Sequence, residues 1–272
     1  MTPVLNEIFS TFAAVDEAQF HFALAAFVLA CGSFSFVTLL FFVNAPYGRY
    51  SSKTWGPLVP ARLAWVWMES PCIWASAVCA YLAHAVGSPA LASTPNRILL
   101  ALFCAHYVNR AFVYPLRMRS SNPMPASIML FAWLFCATNG YLQARALTLF
   151  TVYEEAWVWD PRFLVGCAVW TLGFGLNLQA DDILRNLRKP GDKERYKIPR
   201  GGLFELVSGA NFAAEILEWA GFALACWSFT ALTFAVFTFL NTAPRGMAHH
   251  KWYQEKFDNY PKKRKGVIPF LW

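Results

Sequence analysis

Two side chains in this sequence could polarise a carbonyl, and both sit where water is scarce. Glu69 lies in AWVWMESPCIW (64–74), an apolar run with no other charge. A carboxyl buried in such surroundings keeps its proton and can donate a hydrogen bond; the plainer alternative is a bond between two helices. Tyr107 lies in a second apolar run, where a phenol can stabilise a developing oxyanion or simply anchor a helix at a membrane interface. Arg110 and Tyr114 follow it at helical spacings of three and seven, which predicts one shared face. His106, beside Tyr107, reads as a satisfied core histidine.

A larger polar set surrounds a basic connector. Asn177, Asp181, Arg185 and Arg188 recur at spacings of four, four and three, so one helix face can carry all four. Asn211, Glu215 and Glu218 repeat the pattern in a segment that otherwise reads as membrane-embedded. Ionisable groups at that depth are costly and mark function by default. Between the stripes lie Arg195, Lys197 and Arg200, and the tail adds Arg245, His249 and Tyr253 four residues apart. Arginines take phosphates bidentately, while carboxylates and amides take hydroxyls and amide groups. The mixture suits a phosphorylated ligand with hydroxyls, such as a nucleotide; the bland alternative is a helix end with internal ion pairs. No GxGxxG after a strand, Walker-type loop, HExxH or GxSxG is present, and GFGLN (173–177) is only a glycine pair.

The elements that must hold these groups follow from composition. Of 272 residues 57% are hydrophobic, 17% aromatic and only 14% charged, against about a quarter charged in a soluble domain. The apolar residues come in runs near the roughly 20 residues that cross a bilayer. Spans are expected at about 20–43, 60–86, 97–115, 124–150, 162–180, 205–225 and 228–243, the last two joined by a tight turn at Trp227 and Ser228. Basic loops alternate with neutral or acidic ones. An all-α, seven-span membrane protein results, N-terminus lumenal and C-terminus cytosolic, a layout shared with rhodopsin-like receptors. The chain reads as one polytopic domain, 1–272, without internal repeats. Within it, 1–46 form an arm and first span, 181–204 a turn-rich cytosolic connector and 244–272 a basic tail. The N-terminus lacks a removable signal peptide. The net charge of +7 is clustered beside spans, and no nucleic-acid motif accompanies it. Seven cysteines in apolar runs read as buried small hydrophobes, not disulfides or metal ligands. The KKRK run at 262–265 reads as an anchor on anionic lipid.

Several blocks carry a family resemblance: ILRNLRKPGD (183–192), YKIPRGGLFELVSGANF (196–212), EILEW (215–219), HHKWYQEKFDNYPKKRK (249–265) and the terminal IPF, with PARLAWVWMESP (60–71), HYVNRAFVYP (106–115), NGYLQAR (139–145) and DPRFLVG (160–166) upstream. From about Tyr47 to the C-terminus the sequence resembles the membrane steroid 5α-reductases, the 3-oxo-5α-steroid 4-dehydrogenases of the type 1 and type 2 kind. The resemblance implies reduction of the C4–C5 double bond of a 3-oxo-Δ4-steroid by NADPH, in the endoplasmic reticulum membrane, with no obligate protein partner. It implies Glu69 and Tyr107 as the ketone-polarising pair and Trp65 and Met68 beside the substrate. As NADPH-holding residues it implies Arg110, Tyr114, Asn177, Asp181, Leu184, Arg188, Tyr196, Lys197, Asn211, Glu215, Trp219, Arg245, His249 and Tyr253. Tyr47 and Arg49 match a loop near the cofactor.

The sequence departs from that family in two places. Met68 stands where the steroid enzymes carry Gln before the catalytic Glu, and Ala214 stands where a Gly is usual. The first 46 residues lie outside the blocks that carry the resemblance. Two alternatives to a steroid reductase follow: a reductase of another lipid enone or enoyl substrate, such as a sterol, polyprenal or enoyl thioester, and a sterol-binding membrane protein without catalysis.

Overall fold

A computed structural model describes residues 16–119, 121–187 and 196–272. Among them the architecture is helical, and helices stand at all seven expected positions. Three of these, Glu17–Phe41, Thr94–Arg117 and Pro161–Asn186, are long and apolar enough to cross a membrane.

The first helix, α1 (Glu17–Phe41), starts where the Asp16 carboxylate accepts from the Ala18 N–H. Its outward face is apolar, with Phe34 and Phe41 exposed, and Cys31 is also exposed rather than buried. The second apolar run is not one helix. It divides into α2 (Ala61–Glu69) and α3 (Pro71–Ala85), because Pro71 has no N–H to donate and its ring disfavours a continuous helix. Glu69 is therefore a helix-terminal residue at a break. Two short strands, β1 (Leu58–Val59) and β2 (Met124–Pro125), pair antiparallel and tie the start of α2 to the segment just before Ala126.

The third helix of the expected set, α4 (Thr94–Arg117), contains a π-helical turn at Asn109–Val113. After it come α5 (Ala126–Arg145) and α6 (Pro161–Asn186), the latter capped by Asp160 through the Arg162 N–H. Two more helices follow, α7 (Ala210–Cys226) and α8 (Phe229–Lys256). Between them Trp227 adopts a left-handed conformation, φ 47°, and Ser228 caps α8 by accepting from Ala231 N–H.

The last helix overruns expectation. It passes through Pro244 and continues to Lys256 instead of ending at the tail. A helical proline leaves one carbonyl without its donor, yet packing outweighs that loss. Gly209 approaches Gly246 so closely that an added Cβ on Gly209 would lie 3.0 Å from the Gly246 Cα. Residues past α8 then turn back: Ser208 and Gly209 N–H donate to the Lys265 and Gly266 carbonyls at 2.8 and 2.9 Å. Arg264 is buried, donating to the Pro199 carbonyl at 2.9 Å. The KKRK run is thus no free lipid anchor at that position, although Lys262 and Lys263 are exposed.

Helices α6 and α7 make the closest pair. A Cβ on Gly173 would lie 2.6 Å from the Glu218 Cα, and one on Gly166 would lie 2.7 Å from the Ala225 Cα. Backbones at this separation are a small-residue packing of the kind membrane helices use. The main core lies beside this pair, built from Phe103, Tyr107, Trp170, Trp219, Phe222 and Phe234.

Candidate functional site

The polar stripe at the end of α6 is helical, as its spacing predicts. Asn177 is buried and its Nδ2 donates to the Asn211 carbonyl of α7 at 3.0 Å. One turn on, Asp181 accepts from Arg110 at 2.8 Å, and the other end of the Arg110 guanidinium lies 3.6 Å from Glu215 of α7. Arg110 also sits 5.0 Å from the Trp65 ring and 4.9 Å from the Tyr114 ring, and those two rings meet edge-on at 5.0 Å. Three helices and the middle of α2 therefore converge on one guanidinium.

A cavity of about 310 Å³ opens beside it. Tyr47, Arg49, Trp65, Arg110, Tyr114, Asp181, Leu184, Tyr196, Asn211, Arg245 and His249 line it, with Arg119, Arg185 and Phe212. Arg245 donates to the Tyr47 hydroxyl at 3.0 Å. Arg49 donates to the Tyr253 hydroxyl at 3.4 Å and lies 3.8 Å from the Trp252 ring. Buried nitrogens of both arginines, Arg49 Nη1 and Arg245 Nε, have no hydrogen-bond partner. Orphaned donors of this kind call for an anion. A second concavity of about 490 Å³ lies among Val152, Trp157 and Trp159, with Glu154 and Asp160 on it. Its acids repel phosphate, and it stands at the other end of α6, roughly 30 Å from Asp181 by the helical rise.

The connector is pinned from below. Glu205 accepts from the Gly201 N–H at 2.7 Å and from Arg264 at 3.4 Å. The first of these, more than the arginine, holds its carboxyl below the usual carboxylate range. Tyr196 meets the Trp252 ring at 5.0 Å, and Lys197 follows, half-buried. Arg188 lies outside the described residues.

Some expected groups fall elsewhere. Trp219 is buried in the aromatic core, 4.6 Å from the His106 ring, and does not line the cavity. Glu218 turns from its stripe to pair with His106 at 2.7 Å, which gives that histidine its partner. Met68 is buried among Ala64, Met124 and Ile128. Tyr107 does not share the cavity with Arg110 and Tyr114, because the π-helical turn intervenes.

Glu69 and Tyr107 share no direct hydrogen bond. The element touching both is α5. Cys136 Sγ donates to Glu69 Oε2 at 3.4 Å, and Asn139 Nδ2 donates to the Tyr107 oxygen at 3.1 Å. The two contacts come from positions three apart, about 4.5 Å along the helix. Asn139 and Gln143 carried no role in the sequence reading. Their signal was present as two amides at helical spacing inside an apolar run, within NGYLQAR.

A helical protein with membrane-length spans, a basic polar cavity and, one turn along two of the helices that line it, a half-buried carboxyl and a buried phenol has the makings of a membrane-bound enzyme. Residues 122–272 match the model of the 3-oxo-5-alpha-steroid 4-dehydrogenase family. The chain is 49% identical over 251 residues to 3-oxo-5-alpha-steroid 4-dehydrogenase 1 of Bos taurus, covering 92% of this chain and 96% of the relative. It is 50% identical to the type 1 protein of Homo sapiens over 84% and 86% of the two chains, and 44% identical to the type 2 protein of Mus musculus over 86% and 90%. The chain belongs to this family and is an oxidoreductase.

Proposed function

We propose that this protein is an NADPH-dependent reductase of the C4–C5 double bond of 3-oxo-Δ4-steroids, embedded in the endoplasmic reticulum membrane by seven spans with the C-terminus cytosolic. The observation that carries the reading is the cavity beside Arg110, with its orphaned arginine nitrogens, whose lining residues Trp65 and Arg110 lie one helical turn from Glu69 and Tyr107 along their helices. Arg49 and Arg245 suit a phosphate, while Asn177, Asp181, Asn211 and Glu215 offer the acceptors and donors that ribose and amide groups need. NADPH, when bound, supplies the hydride.

The chain's own part is electrostatic and positional. Hydride reaches C5, electron density moves from the C4–C5 bond onto the ketone oxygen, and a proton then adds at C4. Glu69, protonated, and Tyr107 donate to that oxygen as its charge grows. Donors fixed in place before the reaction lower its barrier without reorganisation. The apolar steroid enters from the bilayer side and the polyanion from the basic cytosolic side, so the two ligands need no common route.

The test is turnover of a panel of Δ4-3-ketosteroids by microsomes containing the protein and NADPH, read by mass spectrometry. The expected product is heavier by two hydrogens and 5α-configured. Glu69→Gln should lower turnover about 10²–10³-fold with NADPH affinity unchanged. Absence of turnover on every steroid would overturn the substrate assignment; a fully active Glu69→Gln variant would overturn the role of the carboxyl.

A further inference from the structure

The stripe of amides on α5 has no part in the site as described so far, yet it ends on the phenol. Gln143 Nε2 reaches two oxygens, the Thr230 carbonyl of α8 at 3.1 Å and Asn139 Oδ1 at 3.2 Å. Asn139 Nδ2 then reaches the Tyr107 oxygen at 3.1 Å. All three side chains are buried, with relative exposures of 2% for Gln143, 1% for Asn139 and 3% for Tyr107.

The direction of this chain is fixed by its far end. A backbone carbonyl only accepts, so Gln143 must present its NH₂ group to Thr230. The same NH₂ group carries the second hydrogen to Asn139, which must answer with its oxygen. Asn139 is left with its own NH₂ group facing Tyr107. The phenol oxygen therefore accepts, and its single O–H is free to point elsewhere. A flipped Asn139 would set two oxygens, or two NH₂ groups, against each other in a buried site, at a cost above that of a lost bond. Cys72, whose thiol donates to the Cys136 carbonyl at 3.1 Å, is also a side-chain hydrogen-bond partner of Tyr107, and its sulfur is the acceptor the O–H meets when no ketone is present. As an acceptor its sulfur is weak.

We propose that Asn139, oriented by Gln143 and the Thr230 carbonyl, is a positioning residue that turns the Tyr107 hydroxyl into a committed donor to the substrate ketone. The proposal rests on the reading that Tyr107 donates to that ketone. It adds a chemical limit. Amides neither gain nor lose protons near neutral pH, so no proton can reach Tyr107 along this chain. Tyr107 keeps its proton through the cycle and acts as a fixed dipole, and the proton added at C4 arrives by another route.

Asn139→Asp tests this with almost no change of shape. A carboxylate only accepts, so the last bond reverses and the Tyr107 O–H turns away from the substrate. Turnover should fall about as far as in Tyr107→Phe, on the order of 10²–10³-fold, with NADPH affinity unchanged. Lowering the pH protonates the aspartate, which can then donate again, so Asn139→Asp should regain activity as pH falls while Tyr107→Phe does not. The double variant should be no slower than Tyr107→Phe, since both changes remove one interaction. Gln143→Met, which frees Asn139 to flip, should lose about tenfold, the worth of one neutral hydrogen bond.

Multiplicative losses in the double variant, no gain at low pH in Asn139→Asp, or full activity in either Asn139→Asp or Gln143→Met would overturn the proposal and leave the role of Tyr107 standing. Full activity of Tyr107→Phe would overturn both. NADPH binding by each variant, measured in microsomes, serves as the folding control. Should Asn139→Asp not accumulate, the Gln143→Met rate alone decides.

Discussion

Replacing Arg110 by methionine should separate stability from cofactor binding at one residue. The guanidinium is 9% exposed and faces Asp181, 10% exposed, at 2.8 Å and Glu215, 19% exposed, at 3.6 Å. Arg110→Met leaves two acids facing each other with no cation between them. Removing one partner of a buried ion pair typically costs about 3–5 kcal/mol, because the charge left behind is uncompensated. For a domain of this size each kcal/mol moves Tm by about 2–4 °C, so a fall of about 6–20 °C is expected. The assay is thermal unfolding in detergent without nucleotide, run beside NADPH titration. A triple variant, Arg110→Met with Asp181→Asn and Glu215→Gln, removes the repulsion and should recover most of the lost Tm while NADPH affinity stays low. A Tm for Arg110→Met within about 2 °C of the wild type would refute the electrostatic argument. So would a triple variant no more stable than the single one.

Two further outcomes follow from the packing and the connector. Gly173→Ala should lower Tm in the same assay by the equivalent of about 1–3 kcal/mol, since its methyl meets the α7 backbone; an unchanged Tm would mean that α6 and α7 separate freely. Glu205, whose ordinary carboxyl value is 4.5, is held lower by the Gly201 N–H and then by Arg264. Its contribution is complete above about pH 4.5 and is lost as pH falls through the depressed folded value. Protection of the 196–209 segment from proteolysis should therefore hold down to about that pH and decline below it, and Glu205→Gln should weaken protection above that pH while making little difference well below it. Protection that ignores both pH and the substitution would count against the latch.

The parts of the site legible in the sequence are those with local periodicity. Asn177, Asp181 and Arg185 could be assigned to one helix face because spacing alone decides it, and Arg245, His249 and Tyr253 likewise. Glu69 announced itself as a lone carboxyl in an apolar run. The partners of these groups were not legible. Nothing in the spacing says that Arg110 lies between Asp181 and Glu215, or that Glu218 leaves its stripe for His106, because those choices depend on how α4, α6 and α7 pack. The length of the last helix was not legible for a related reason: the apolar run of the expected span stops near 243, whereas the helix continues through Pro244 to Lys256, where Gly246 packs closely on Gly209. The same holds for Arg264, which reads as one more lysine-run charge until the chain folds back beneath Pro199. Asn139 and Gln143 needed both kinds of knowledge, a spacing visible in sequence and a backbone carbonyl supplied by a distant helix.

The π-helical turn at Asn109–Val113 has a consequence for how this chain can change. Such a turn holds one residue more than its α-helical counterpart and shifts everything beyond it by about 100°, one residue's share of a 3.6-residue turn. Tyr107 precedes the shift and faces the core, while Tyr114 follows it and faces the cavity. One helix thereby serves two chambers whose azimuths an unbroken helix could not match. Deleting any single residue between 109 and 113 would restore regular geometry and improve the local hydrogen bonding. It would also swing Tyr114 out of register with Tyr107. The number of residues in this stretch is therefore as constrained as the identity of Arg110 within it: the count sets the register of Tyr114, and the guanidinium holds Asp181 and Glu215.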